Sequence, residues 1–95
     1  MAGYTYILTN RKHGTLYIGV TSDLVRRIGE HKTGAIDGFA SKYGTTRLVY
    51  FEQHETLPLA ITREKRLKKW KRDWKILLIE RNNPEWTDLF DGISS

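Results

Sequence analysis

The first twenty residues alternate between apolar and polar side chains in two short runs, residues 4–9 and 15–20. Both runs are rich in β-branched and aromatic residues, and residues 10–14 suit a turn, so the pattern predicts a β-hairpin. With Tyr6 opposite Tyr17, alternation along the strands separates a phenolic face from an aliphatic one. The phenolic face then carries Tyr4, Tyr6, Tyr17 and Gly19, and the aliphatic face carries Ile7, Leu16, Ile18 and Val20.

Apolar residues recur at helical spacing in the segment after the hairpin. Residues 21–23 offer N-cap side chains and Gly34 supplies a C-terminal stop, so a first helix is predicted between them. This helix carries an apolar stripe of Leu24, Val25 and Ile28 and, beside it, a polar edge of Asp23, Arg27 and His31 at positions i, i+4 and i+8.

Later segments predict a third strand and further helices. They are a short helix at 39–43, a strand at 46–53, a long helix from about 56 to 72, and a continuing or separate helix at 74–81. After a break at Pro84, Trp86 and Leu89 are expected to pack onto the body, followed by a frayed tail at 92–95.

One side chain of the long helix does not match its apolar face. That face is formed by Leu57, Ala60, Leu67, Trp70 and Trp74, and the two tryptophans are interpreted as core residues rather than stacking platforms. Glu64 falls within the same arc. Because a carboxylate there needs a cation, Glu64 is either half of a structural ion pair or a metal-binding group.

Length and composition narrow the class of protein. The 95 residues suffice for one domain, taken as residues 1–95, and the absence of cysteine excludes disulfides and thiolate chemistry. We find no signal-peptide pattern and no apolar run of membrane-spanning length, so a soluble cytoplasmic protein without a membrane partner is expected.

The net charge is +5, and eight of the sixteen Lys and Arg residues lie between 63 and 75. This basic helix favours polyanion binding, with an ordinary solvated surface as the alternative.

The candidate residues carry little information one at a time. Strand tyrosines such as Tyr6 and Tyr17 usually pack against neighbours, and a lone Arg27 on a helix edge is seldom functional. His31 has no second histidine at ligand spacing, which argues against a multi-histidine zinc site.

Taken in order, the same residues resemble the GIY-YIG nuclease domain. The second half of that family's sequence signature is intact as Tyr17-Ile18-Gly19. In the first half, Tyr4-Thr5-Tyr6 keeps only the tyrosine. The resemblance spans residues 4–89, continues through Arg27, His31 and Glu64, and is closest to small stand-alone bacterial members similar to the nuclease domain of the bacterial excinuclease. A further polar residue of some members has no clear counterpart, Asn82 and Asn83 being the candidates.

The resemblance implies an α+β fold with a three-stranded antiparallel sheet flanked by helices, and metal-dependent hydrolysis of phosphodiester bonds in DNA. Glu64 would anchor Mg²⁺ or Mn²⁺, which needs few protein ligands, and Arg27 would bind the phosphate. Either tyrosine could orient or deprotonate the attacking water; the hypothesis takes Tyr6 as the base and Tyr17 as the group that orients water or phosphate, provided that the phenol pKa is lowered. His31 would contact phosphate or carry a proton.

Six further residues are expected to contact the nucleic-acid backbone without reading sequence: Lys42, Tyr43, Lys65, Lys68, Lys69 and Arg72. Three functions stay open. The first is a structure-selective or weakly sequence-selective DNA endonuclease. The second is a nucleic-acid-binding module of the same fold that cleaves little without a protein partner. The third is a small protein-interaction domain, which would make the joint presence of the site residues a coincidence.

Overall fold

Three antiparallel strands and four helices form the part of the chain that the computed structural model describes, which is residues 1–35, 38 and 43–94. They are β1 (Gly3–Thr9), β2 (Leu16–Thr21), α1 (Leu24–Thr33), β3 (Arg47–His54), α2 (Leu57–Lys69), α3 (Arg72–Asn82) and α4 (Phe90–Ser94). This architecture confirms the expected α+β fold class. None of these helices is long and apolar enough to cross a membrane. The predicted helix at 39–43, apart from Tyr43, lies outside the described residues, as does Lys42.

The central strand of the sheet is β1, in the order β2-β1-β3. The predicted hairpin is present, but Tyr6 lies opposite Gly19 and not opposite Tyr17, so the predicted register was wrong by two residues. The loop is wider than a tight turn and contains a hydrogen bond of 2.9 Å from the Gly14 amide to the Arg11 carbonyl oxygen. Because side chains alternate with period two, a shift of two leaves each one on its predicted face.

Both faces of the sheet are covered, which gives two apolar cores. The aliphatic face packs under α2 and α3, with the buried residues Ile7, Ile18, Val49, Tyr50, Leu67, Ile79 and Trp86. A β-bulge in the pairing of β1 with β3 allows the neighbours Val49 and Tyr50 to enter the same core. The phenolic face packs under α1 and α4, with the buried residues Tyr6, Leu8, Leu24, Ile28 and Leu48. Tyr6 is therefore a core residue as well as a candidate site residue.

The basic helical segment is divided into two helices. Trp70 and Lys71 have extended backbone angles, so α2 ends at Lys69 and α3 begins at Arg72. The change of axis turns Trp74 away from the core, and it is 54% exposed. The interpretation of Trp74 as a core residue was therefore wrong, whereas Trp70 is half-buried and packs against the aliphatic core.

The C-terminal segment closes both cores. Trp86 is fully buried, as predicted, and Asn83 anchors it by donating hydrogen bonds of 3.0 and 2.9 Å to the carbonyl oxygens of Val49 and Thr87. The expected frayed tail is instead the short helix α4, and Ile93 packs against the phenolic core. Asn83 therefore has a structural role in the described chain.

Candidate active site

The candidate site is built around the Tyr6 phenol. Its Oη atom lies 3.1 Å from Nε2 of His31 in a buried hydrogen bond. The Tyr17 ring completes a three-ring cluster, with its centroid 6.4 Å from that of Tyr6 and 5.5 Å from that of His31. Two strands and one helix therefore meet at this cluster, because β1, β2 and α1 each contribute one ring.

A glycine makes room for the Tyr6 ring. Gly19 lies opposite Tyr6 in the hairpin, and a Cβ atom on Gly19 would lie 2.4 Å from both Cζ and Oη of Tyr6. Such a separation is a steric overlap, so the Tyr6 ring can cross β2 only where that strand has no side chain. The third position of Tyr17-Ile18-Gly19 therefore has a packing function that the pattern alone did not predict.

Burial controls the protonation of Tyr6 and His31. The phenol of Tyr6 is 1% exposed, and burial raises its pKa, with the neighbouring Tyr17 acting in the same direction. Burial lowers the pKa of His31, and the charge of Arg27 lowers it further. Both groups are therefore neutral at pH 7. A basic role for Tyr6 requires a lowered pKa, and the side chains around it act in the opposite direction, because loss of solvation outweighs the attraction of Arg27.

Arg27 lies one turn before His31 on α1, whose start is fixed by a hydrogen bond of 3.2 Å from the Arg26 amide to the Asp23 carboxylate. Its side chain is 43% exposed and pairs with Glu30, with 3.8 Å between Nε and Oε1. It also lines a polar cleft of about 210 Å³ together with Thr21, Ser22, Asp23, Arg26 and Glu30. The guanidinium is thus close enough to influence Tyr6 and His31 while it remains accessible to an anion.

Glu64 lies on α2, one turn after the buried Ala60. The carbonyl oxygen of Ala60 accepts a hydrogen bond of 2.8 Å from Thr5 Oγ1, which fixes the helix against β1. The Glu64 side chain is only 14% exposed, and its Oε2 lies 3.2 Å from Nζ of Lys68. Its negative charge contributes to the raised pKa of Tyr6. Among the five predicted catalytic residues, Tyr17 and His31 therefore contact Tyr6, and the charges of Arg27 and Glu64 act on its pKa from the two neighbouring helices.

The donor set at Glu64 suits one kind of metal ion. Among the described residues, no group of three His, Cys, Asp or Glu side chains is arranged to hold a metal. A single carboxylate beside a site for phosphate is the pattern of Mg²⁺ sites, because Mg²⁺ keeps several waters and takes oxygen ligands from its substrate. The residues therefore fit a hydrated Mg²⁺ or Mn²⁺ ion and do not fit a closed structural zinc site.

The predicted nucleic-acid contacts fall into three groups. Lys65 and Lys69 are exposed on α2, and Tyr43 is 45% exposed. Lys68 is exposed but paired with Glu64. Arg72 donates two hydrogen bonds of 2.7 Å to the carbonyl oxygens of the hairpin loop, at His13 and Gly14, so it also holds that loop against α3.

Sequence reasoning missed a polar network on the aliphatic side of the sheet. The Glu52 carboxylate accepts hydrogen bonds from the Tyr50 hydroxyl and from Nε of Arg63, the latter at 2.8 Å, and lies 2.9 Å from Nε2 of His54. Burial alone would raise the pKa of Glu52, but these three partners together lower it. The signal was the i, i+2, i+4 spacing of Tyr50, Glu52 and His54 on one strand face.

Comparisons with known proteins agree with this geometry. Residues 2–76 match the family of GIY-YIG catalytic domains. A UPF0213 protein of Clostridium perfringens is 40% identical over 76 residues, which cover 80% of this chain and 81% of the relative. A UPF0213 protein of Haloquadratum walsbyi is 34% identical over 86 residues, covering 90% and 91%. The solution NMR structure of a UPF0213 protein from Bacillus halodurans is 30% identical, covers 93% of both chains and gives a TM-score of 0.57.

Proposed function

The chain belongs to the family of GIY-YIG catalytic domains, and from that premise we propose that it is a metal-dependent endonuclease that hydrolyses phosphodiester bonds in DNA. The family implies nucleic-acid binding. The observation that carries the proposal is the ring cluster of Tyr6, Tyr17 and His31, on whose central phenol the charges of Arg27 and Glu64 both act. Two charged groups of opposite sign beside a phenol and an imidazole are the parts that phosphodiester hydrolysis requires.

Arg27 binds the scissile phosphate in this proposal. A guanidinium is charged at every physiological pH and can hold two phosphate oxygens at once. Its only ion pair among the described residues is the long contact of 3.8 Å to Glu30, so a phosphate competes with a weak partner. As the phosphoryl group gains charge in the transition state, the same contact strengthens, and this difference accelerates the reaction.

We propose that Tyr17, and not Tyr6, positions and activates the attacking water. The pKa of Tyr6 is raised by burial, so Tyr6 holds its proton and is a poor base. Tyr17 is half-buried and lines an open groove, so it is less shielded from solvent than Tyr6. The His31 ring meets the Tyr17 ring at an angle of 62°, and the hydrogen bond between His31 and Tyr6 fixes that imidazole. Tyr6 and His31 are then positioning residues for Tyr17.

Glu64 is the proposed ligand for the divalent cation. When bound there, the cation supplies Lewis-acid stabilisation of the phosphate oxygens and of the leaving oxygen. The 14% exposure of the Glu64 side chain limits the water that competes for it, and Lys68 balances its charge in the described chain. The carboxylate is thus held in one place on the second helix, where a divalent cation would have to displace Lys68.

DNA is the proposed substrate, bound mainly through its backbone. The exposed cations Lys65 and Lys69 lie on the same helix as Glu64, so backbone affinity and metal binding share one element. No described side chain forms an obvious base-reading array. We therefore propose structure-selective or weakly sequence-selective cleavage, with strong salt dependence.

A second candidate function, nucleic-acid binding with little cleavage, is favoured by one observation. Lys68 already neutralises Glu64, with 3.2 Å between Nζ and Oε2, so a divalent cation must compete with an internal one. If that competition fails, the domain binds DNA without cutting it, and a protein partner is then required for activity.

The test is cleavage of supercoiled plasmid and branched DNA with Mg²⁺, Mn²⁺ or EDTA. The wild-type chain is compared with Glu64→Gln and with Glu55→Gln, a matched control because Glu55 is exposed and precedes the same helix. Metal-dependent nicking that survives in Glu55→Gln and is lost in Glu64→Gln is expected. Equal nicking by both variants would remove Glu64 from the mechanism, and DNA binding without nicking by the wild type would establish the second function.

A further inference from the structure

A groove along the outer edge of the sheet shares one wall with the candidate active site. It has a volume of about 260 Å³ and is lined by Leu16, Tyr17, Ile18, Lys68 and Lys75. We call it the edge groove, because β2 is the edge strand of the sheet and no described strand pairs with its outer side. Tyr17, to which the proposed function assigns the attacking water, therefore belongs to both the site and the groove.

The two cations of the edge groove differ in how they are neutralised. Lys68 pairs with Glu64, with 3.2 Å between Nζ and Oε2. Lys75 makes no ion pair among the described residues, and its ammonium contacts only the Lys68 carbonyl oxygen, at 3.4 Å. The groove therefore presents one unneutralised positive charge beside an apolar floor formed by Leu16 and Ile18.

We propose that the edge groove binds the nucleotide next to the scissile phosphate, with Lys75 holding the phosphate of that nucleotide. The proposal rests on the proposed function and extends it to a residue that the sequence analysis did not single out. The sugar lies against Leu16 and Ile18, and the backbone then passes Tyr17 on its way to Arg27.

Charge and size together select this occupant. A negatively charged, partly apolar ligand is complementary to a lysine above an aliphatic floor, and each nucleotide joins an anionic phosphate to an apolar sugar face. A groove of about 260 Å³ is comparable in size with one nucleotide, so the proposed occupant is a single nucleotide of one strand. The contact is therefore to the backbone of a single strand, which gives affinity and position without sequence preference.

The test compares Lys75→Ala with a control at the other end of the same turn. Lys71 is exposed, lies just before α3, makes no side-chain cap and does not line the groove, so Lys71→Ala removes an equal charge elsewhere. Binding of a labelled single-stranded oligonucleotide is measured in EDTA by fluorescence anisotropy at several salt concentrations. Lys75→Ala is expected to weaken binding about tenfold and to reduce the salt slope by about 0.7. Lys75→Arg is expected to restore both, and Lys71→Ala to change affinity less than twofold.

A second measurement locates the contact relative to the cut. Once wild-type cleavage is mapped, substrates carrying one uncharged methylphosphonate at a defined position are tested. When the methylphosphonate stands next to the scissile phosphate, its effect on affinity and the effect of Lys75→Ala should not add, because each change removes the same interaction. Additive losses at both neighbouring positions would overturn the proposal.

The outcomes separate this proposal from the proposed function. If the wild type cleaves DNA and Lys75→Ala behaves like Lys71→Ala, the groove is not a binding site although the nuclease function stands. If the wild type binds DNA without cleaving it and Lys75→Ala loses affinity, the groove is a binding site although the nuclease function fails. A dimer that forms through β2, is detected by sedimentation and is unaffected by added DNA would assign the groove to a second copy of the chain. That result would overturn the proposal.

Discussion

Replacing Gly19 by alanine is expected to destabilise the fold by displacing the Tyr6 ring. The added Cβ atom would lie 2.4 Å from Cζ and Oη of Tyr6 and 2.9 Å from its Cε1. Tyr6 is 1% exposed and hydrogen-bonded to His31, so the ring cannot move towards solvent without opening the phenolic core. The clash therefore has to be relieved by movement of the strand, the ring or both.

The size of the effect follows from three contributions. Overpacking a closed core costs about 1–3 kcal/mol. Loss of the hydrogen bond between Tyr6 and His31 costs about 1 kcal/mol more, and replacing a strand glycine recovers about 0.5–1 kcal/mol of backbone entropy. The net expectation for Gly19→Ala is a loss of roughly 2 kcal/mol, which corresponds to a fall in Tm of about 8–16 °C for a domain of this size.

The chain contains a matched control at Gly29. Gly29 lies inside α1, and a Cβ atom added there would meet nothing within 4 Å. Gly29→Ala should therefore raise stability by about 0.5–1 kcal/mol, the helix-propensity difference between the two residues. The same chemical change is thus expected to have opposite signs at two sites.

Urea unfolding followed by circular dichroism measures both variants, and NMR of the His31 ring reports whether Tyr6 has moved. A Gly19→Ala protein as stable as the wild type would refute the steric argument. A destabilised protein with unchanged His31 resonances would place the strain in the strand backbone and refute the role of the ring.

Three other substitutions test the anchor at Asn83 and the charges around His31. Asn83→Ala should lower the free energy of unfolding by about 1–3 kcal/mol, since it leaves the buried Val49 carbonyl oxygen unpaired; a urea midpoint equal to that of the wild type would contradict this. Because folding lowers the pKa of His31 below its ordinary value of 6.5, its contribution to stability is complete above pH 6.5 and is lost as the pH falls below it. Urea unfolding at pH 7.5 and 5.5 should show this loss in the wild type and not in His31→Gln. Arg27→Ala should abolish cleavage and change stability by less than about 1 kcal/mol. It should also raise the pKa of His31 in an NMR titration, and an unchanged pKa would show that the charge of Arg27 does not act on His31.

Local interactions explain the elements that the sequence predicted well. The cap at Asp23 and the left-handed Gly34, with φ of 75°, bound α1 at the predicted ends. Thr56 accepts a hydrogen bond from the Leu59 amide and begins α2 as expected. Capping depends on a few neighbouring residues, so it can be read from the sequence alone.

Long-range packing decided the features that the sequence left open or predicted wrongly. The hairpin register differs from prediction by two residues, since the Tyr6 ring needs the space at Gly19. The break at Trp70 turns α3 against the aliphatic core, and the predicted frayed tail becomes α4 by packing against the phenolic core. Each of these outcomes depends on residues distant in sequence, which local propensity does not describe.

The residues of the candidate site were named from the sequence, because their order and spacing follow a family pattern. Their environment was decided by the tertiary structure: burial keeps Tyr6 protonated and His31 neutral, and the packing of the second and third helices places Lys75 in the same groove as Tyr17. Protonation and accessibility depend on how much solvent each group loses, and that quantity is fixed only when strands and helices from the whole chain assemble around it.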